Sequence, residues 1–280
     1  MSQADESNVV DVARDYYDSS DADRFYFQIW GGEDIHIGIY QSESEPISTA
    51  SRRTVDTILA QVPKLPKGAR MLDIGAGYGG SARVIARERG IQVTCLNLSS
   101  VQNERNRTLT AEQGLDHLID VHDGNFEELP FDDATFDYLW CQDSILHSGR
   151  RKRVFEEVDR VLKPRGGFIF TDPMQKEGVD PAILEPVLER IHLPSMGSVE
   201  KYLGYANDLG WKTLGIDERP DCLVSHYGRV LEELETRTDE IAGHVSPEYV
   251  ARMKKGLRHW IEAASKGALN WGILHFGKPG

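Results

Sequence analysis

Three observations in the sequence predict a doubly wound α/β fold with a mainly parallel sheet of seven strands. Short apolar runs alternate with helical stretches from residue 68 onward. The first run passes straight into Met-Leu-Asp-Ile-Gly-Ala-Gly-Tyr-Gly-Gly (71–80), where a buried strand turns tightly into a helix. Finally, 280 residues at 40% apolar content can bury one large core with a lid over it.

The elements follow in order. Residues 1–62 read as helical, with a loose apolar stripe of Val9, Val10, Val12, Ala13, Tyr16 and Tyr17. Pro63-Lys64-Leu65-Pro66-Lys67-Gly68 is a linker by composition. Arg70–Ile74 is the first strand, and the helix Ser81–Arg89 follows its glycines. Gln92–Leu96 is the second strand, and the helix 101–114 closes on Gly114. Ile119–His122 and Phe136–Cys141 are the third and fourth strands. An amphipathic helix, Arg151–Leu162, is closed by Lys-Pro-Arg-Gly-Gly, and the fifth strand, Phe168–Thr171, stops at Asp172-Pro173. Helices are expected over Pro181–Ile191 and Val199–Leu209, and strands over Lys212–Arg219 and Leu269–Phe276. Between those two strands, 223–267 is almost wholly helical and too long for a turn, so it forms a cap. The division is then 1–66 as an N-terminal helical lid, 67–222 as the core, 223–267 as the cap, and 268–280 as the last core strand.

A net charge of −13 argues against nucleic-acid binding, which needs clustered Lys and Arg. The one basic run, Arg150-Arg151-Lys152-Arg153, is followed by Glu156 and Glu157 and reads as a solvated helix start. No apolar run reaches the roughly 20 residues needed to cross a bilayer. The N-terminus is polar and acidic, unlike a signal or transit peptide. Cys95, Cys141 and Cys222 are scattered, without metal-ligand spacing, so no metal is expected and a reduced cytoplasm is the natural compartment. Both a monomer and a homodimer are compatible with this sequence.

In an open α/β sheet, ligands sit beyond the carboxyl ends of the strands, at the switch point. The first strand delivers Asp73, then Gly75, Ala76 and Gly77; the carboxylate suits a cationic ligand or a loop held by amides. The second ends at Asn97-Leu98-Ser99, with an uncharged amide where a ribose site usually offers an acid. The third leads to Asp123-Gly124-Asn125-Phe126, which reads equally as an adenine contact or as a turn. The fourth gives Gln142-Asp143-Ser144-Ile145-Leu146-His147. In a helix starting near Asp143, Asp143 and His147 would lie at i and i+4, either as an oriented base or as an N-cap beside an exposed His. Aromatics crowd the N-terminal segment, with Tyr26, Trp30 and Tyr40 near His36, a composition suited to a sulfonium or quaternary ammonium ligand.

Taken together these residues resemble the sarcosine/dimethylglycine N-methyltransferases, a branch of the class I, Rossmann-like methyltransferases that use S-adenosylmethionine (SAM). The resemblance runs over nearly the whole chain. It rests on 72–80, Cys-Leu-Asn-Leu-Ser (95–99), Trp-Cys-Gln-Asp-Ser-Ile-Leu-His-Ser (140–148), Val-Leu-Lys-Pro-Arg-Gly-Gly (161–167), Thr-Asp-Pro-Met (171–174) and Gly-Leu-Arg-His-Trp-Ile-Glu (256–262). It implies SAM as cofactor and S-adenosylhomocysteine as product, with sarcosine and dimethylglycine as acceptors and glycine betaine as the end product. It also implies a SAM pocket of Tyr26, Trp30, His36, Asp73, Gly75, Ala76, Gly77, Asn97, Leu98, Gln102, Gly124, Asn125, Phe126 and Gln142. Kinship with phosphoethanolamine methyltransferases implies Tyr17, Asp143 and His147 as catalytic residues. Met174, His226 and Tyr227 are the expected substrate contacts, with Arg24, Arg229 or Arg258 to meet a carboxylate. The alternatives are a methyltransferase for a phosphobase or another small molecule, C-methylation of a ring lipid included, and a SAM-binding protein without catalysis; an NAD oxidoreductase is disfavoured by the glycine spacing and by Asn97.

Overall fold

The computed structural model describes Arg14, residues 18–241 and residues 243–280. Its centre is one sheet of seven strands in the order β3-β2-β1-β4-β5-β7-β6. These are β1 (Arg70–Ile74), β2 (Gln92–Asn97), β3 (Ile119–Asp123), β4 (Phe136–Gln142), β5 (Leu162–Gln175), β6 (Lys212–Glu218) and β7 (Leu269–Gly277). The first five run parallel, while β7 is antiparallel to both β5 and β6. The strand order reverses between β1 and β4, which opens a crevice above their carboxyl ends.

The helices among the described residues are α1 (Ser20–Phe25, continued by a π-helical turn through Trp30), α2 (Ile47–Gln61), α3 (Gly80–Arg89), α4 (Ser100–Glu112), α5 (Arg151–Val161), α6 (Pro181–Ile191), α7 (Val199–Asp208), α8 (Asp221–Thr236), α9 (Thr238–Ile241) and α10 (Pro247–Ser265). One face of the sheet is covered through Val55, Ile58, Ala82 and Ile85 of α2 and α3. On the other face Val154, Phe155 and Val158 of α5 and Tyr202 of α7 do the same. A third apolar cluster joins Phe25 and Trp30 to Leu223, Val230, Met253, Leu257 and Trp271, so lid and cap share a core of their own above the sheet.

Two expectations from the sequence need correction. The N-terminal region is not helical through residue 62, because Gly31 and Gly32 take positive φ and end the first helix. Residues 33–46 then cross the top of the sheet as an irregular strap before α2 begins. The fifth strand neither starts at Phe168 nor stops at Thr171: it begins at Leu162, with Lys-Pro-Arg-Gly-Gly inside it. It runs on to Gln175 because β7 pairs with it from Gly167↔Gly277 to Gln175↔Leu269. Pairing with β4 ends at Thr171, so Pro173 sits where one side of the strand is open and a missing N–H is tolerated.

Candidate active site

A cavity of about 760 Å³ lies above the carboxyl ends of β1, β2, β3 and β4, roofed by the strap, α1 and the cap. Its floor is the glycine loop. Gly75 (φ 72°) and Gly77 (φ 53°) both line it in left-handed backbone conformations. A Cβ on Gly75 would fall 2.4 Å from Ser144 Oγ, so both conformation and space require glycine. The loop is tied to the next strand by Gly75 N–H and Ala76 N–H, both donating to the Leu96 carbonyl, at 2.8 and 3.2 Å.

Asp73 and Ala76 stand below this floor and do not line the cavity. Burial pushes the Asp73 carboxyl up to about 8, and neighbouring Asp34 adds to the rise. Set below the floor and raised this far, the acid does not present a carboxylate to the cavity; of the two expectations, a cationic ligand and a role in holding the loop, its position favours the second. It belongs to the foundation of the loop.

Uncharged amides line the core side. Asn97 donates from Nδ2 to Gln102 Oε1 at 2.9 Å, leaving Asn97 Oδ1 as an acceptor. Gln102 Nε2 is buried without a partner. One acceptor and one donor thus stand side by side, the complement of a vicinal diol. Gly124 is held by its N–H to the Asn97 carbonyl, and Asn125 Oδ1 accepts from Glu127 N–H, so Asn125 and Phe126 are presented by a closed turn. Gln142 accepts at Oε1 from Ser81 Oγ (2.5 Å) and Trp140 Nε1 (3.1 Å), and its Nε2 is left buried without a partner. Trp30 Nε1 is a third such donor on the cavity lining. Buried donors without partners cost free energy unless a ligand meets them. Three of them around one cleft, with Leu98, Phe126 and Tyr26 as apolar walls, fit SAM: a carboxylate, a ribose and an adenine.

The strap closes this side. Ile37 N–H donates to Asp143 Oδ2 (2.8 Å), Gly38 N–H donates to His226 Nδ1 (3.1 Å), and Ser51 and Thr54 hydroxyls donate to the His36 and Ile37 carbonyls. His36 lines the cavity next to Ser81 Oγ at 3.5 Å, and burial pushes its imidazole down to about 4.

Comparison with known proteins turns on this architecture. A family model described as a methyltransferase domain matches residues 72–170. A sarcosine/dimethylglycine N-methyltransferase of Aphanothece halophytica is 55% identical over 279 residues, the whole of both chains. Another enzyme of that name, from Halorhodospira halochloris, is 50% identical over 98% of each chain. The chain belongs to the sarcosine/dimethylglycine N-methyltransferase family. A Galdieria sulphuraria protein assigned as a sarcosine dimethylglycine methyltransferase has the same structure, with a TM-score of 0.89 at 46% identity over 94% of this chain and 99% of that one. As a SAM-dependent N-methyltransferase of this family, the chain must hold a methyl acceptor in the rest of the cavity.

That remaining half is made by β4's extension and the cap. Asp143 sits at φ 51° and only a 3₁₀ turn, Ile145–His147, follows it, so the expected i, i+4 pair on one helix face does not form. Instead Asp143 Oδ1 accepts from Thr171 Oγ1 (2.8 Å) and Trp271 Nε1 (2.7 Å), and Oδ2 holds the strap. Burial still raises this carboxyl above its usual range against those three donors. His147 lines the cavity, and burial, with the charges of Arg151 and Arg190, pushes its imidazole down to about 4. Tyr17 lies outside the described residues.

Of the expected substrate contacts, Tyr227 lines the cavity. Met174 is buried in the sheet core, and His226 is a fastener of the strap, bonded to Gly38 and close to the Tyr40 hydroxyl at 3.1 Å. Neither lines the cavity. Arg24 caps the His244 carbonyl, Arg229 pairs with Glu232 and Glu233, and Arg258 with Glu235, all away from the lining. The cations that do line it are Arg190 of α6 and Arg252 and Lys255 of α10. Sequence reasoning missed them; the one local hint was Gly256, a glycine inside a long helix.

Proposed function

We propose that this protein transfers the methyl group of SAM to the nitrogen of sarcosine and then of dimethylglycine, giving glycine betaine. The observation that carries this reading is a row of aromatic rings along the cavity, Tyr26, Trp30, Tyr227 and Trp260. Successive centroids lie 5.1, 5.8 and 5.2 Å apart. Aromatic faces hold methylated ammonium and sulfonium groups, each contact contributing about 0.5–2 kcal/mol when water is excluded. The names of the full-length relatives supply the acceptor class.

When bound, SAM supplies an electrophilic methyl on sulfonium, which an amine lone pair takes with loss of S-adenosylhomocysteine. The chain's own contribution is placement in a closed site. Gln142, Gln102, Asn97 and Trp30 would orient the cofactor through the polar atoms described above. Asp143 holds the strap down, and with it His36 and Ile37 against the reacting region. His147, uncharged above about pH 5, presents an imidazole that can accept a hydrogen bond from the N–H of sarcosine or of a protonated amine and so position its nitrogen. Turnover of purified protein with SAM against glycine, sarcosine, dimethylglycine and phosphoethanolamine tests the reading. Methylation of sarcosine and dimethylglycine is expected, and turnover of phosphoethanolamine alone would refute it.

A further inference from the structure

An amino-acid acceptor brings a carboxylate as well as an amine, and the aromatic row has nothing to offer it. We propose that Arg190 is the side chain that takes this carboxylate, with Arg252 and Lys255 forming a cationic rim that draws the anion in. The inference rests on the acceptor class proposed above and adds the residues that select it.

The geometry points to Arg190 in three ways. It lines the same cavity as His147 and the aromatic row, on the side where the acceptor must enter. Its charge is felt at His147, where it contributes to keeping the imidazole neutral. Its guanidinium also has a prepared seat: a Cβ on Gly256 would stand 2.5 Å from Arg190 Nη1 and 2.7 Å from Cζ. Glycine inside the 19-residue α10 is a poorer helix former than alanine. Here that gap is filled by the arginine.

The surrounding charges leave Arg190 as the inner cation. Arg252 and Lys255 are exposed, whereas Arg190 is half-buried, where a charge is screened less. Arg252 lies over the Tyr249 ring, 5.0 Å from its centroid. Among the lining acids, Glu189 is exposed at the rim, Glu127 accepts from Ser148, and Asp143 is held by its three donors. Arg190 Nη2 also donates to Met253 Sδ at 3.0 Å, which fixes the guanidinium against α10.

Steady-state kinetics of Arg190→Met and Gly256→Ala, with SAM and dimethylglycine, test the assignment. In Arg190→Met the KM for dimethylglycine should rise roughly ten- to hundredfold, as expected for loss of a charge-assisted pair. SAM affinity by calorimetry should stay within about twofold. Dimethylglycine methyl ester, which lacks the anion, should show the same KM in both proteins. Gly256→Ala improves helix propensity but pushes the guanidinium aside, and should raise the dimethylglycine KM severalfold; it decides the matter if Arg190→Met does not fold. An unchanged KM in the variants, or SAM affinity falling in step with KM, overturns the anchor. Failure of the wild type to methylate dimethylglycine overturns the acceptor class instead, and is seen before any variant is made.

Discussion

The core wall of the cavity meets its ligand with backbone and uncharged amides, whereas the cap wall meets it with charge and aromatic rings. Gly75, Gly77, Asn97 and Gln142 come from the ends of the adjacent strands β1, β2 and β4, with Gln102 from the first turn of α4, and much of their hydrogen bonding is to one another or to neighbouring strands. Tyr227, Arg190, Arg252 and Trp260 come from three helices that share a separate apolar core with the lid. A wall built on a sheet fixes position, and a wall built on helices can be changed without disturbing the sheet. On the proposed function, the first wall binds the cofactor and the second chooses the acceptor. Changes in the core wall should act on SAM affinity, and changes in the cap wall on acceptor kinetics alone.

The harshest break is Gly75→Ala. The methyl must occupy a backbone conformation costing about 1–3 kcal/mol for a side chain, and it meets Ser144 Oγ at 2.4 Å. SAM affinity should fall at least about a hundredfold by calorimetry, with a lowered melting temperature. Retention of SAM binding within tenfold would mean that the loop is not the floor of the cofactor site.

His147→Ala is the next largest, and it probes the acceptor side from the turn that follows β4. Loss of a group that positions the amine should lower kcat by on the order of a hundredfold, leaving SAM affinity within about twofold. Comparable losses in both would make His147 structural. The wild-type pH profile sharpens this. A histidine held down to about 4 is already neutral by pH 5, so kcat/KM should show no inflection near 6.5. It should instead rise with pH as the free amine fraction grows. An inflection at the ordinary histidine value would place His147 in a wetter site than its burial shows.

The two walls also differ in how far the sequence reveals them. Gly75, Gly77, Asn97, Phe126 and Gln142 each follow a strand directly, so finding the strand locates the site residue. Strands β1 to β4 were legible because alternation and glycine punctuation are local signals. Arg190 and Gly256 are 66 positions apart, and only the packing of α6 on α10 brings them together. No periodicity reports such a meeting, so Arg24, Arg229 and Arg258 stood as equal candidates. The Asp143 and His147 spacing misled for a related reason: three distant donors, Ile37, Thr171 and Trp271, hold Asp143 in a left-handed conformation that breaks the helix. The strap failed as helix because its hydrogen bonds go to His226, Thr54 and Asp143 rather than to its own turns.

Gln142→Leu returns to the core wall with a smaller effect. The unpartnered Nε2 donor is lost, and SAM affinity should drop about tenfold, while Ser81 and Trp140 lose their shared acceptor. A lowered melting temperature should accompany the loss, and an unchanged SAM affinity would remove Gln142 from the cofactor site.

The smallest effect belongs to Asn97→Asp, which asks whether the missing acid matters. In the wild type, Asn97 spends its donor on Gln102 Oε1 and keeps an acceptor, while Gln102 Nε2 is buried beside it. An aspartate keeps and strengthens the acceptor, but it would turn Gln102 to donate toward the carboxylate, withdrawing the second group from the cavity. One stronger hydrogen bond replaces two ordinary ones, so SAM affinity should change by no more than about threefold. Calorimetry on Asn97→Asp, Gln102→Ala and the double variant separates the contributions. Gln102→Ala alone should weaken binding severalfold, and that loss should shrink when it is made in the Asn97→Asp background. A tenfold gain in Asn97→Asp would show that the amide pair is a poor substitute for the acid. A null effect in Gln102→Ala would show that its donor never reaches the ligand.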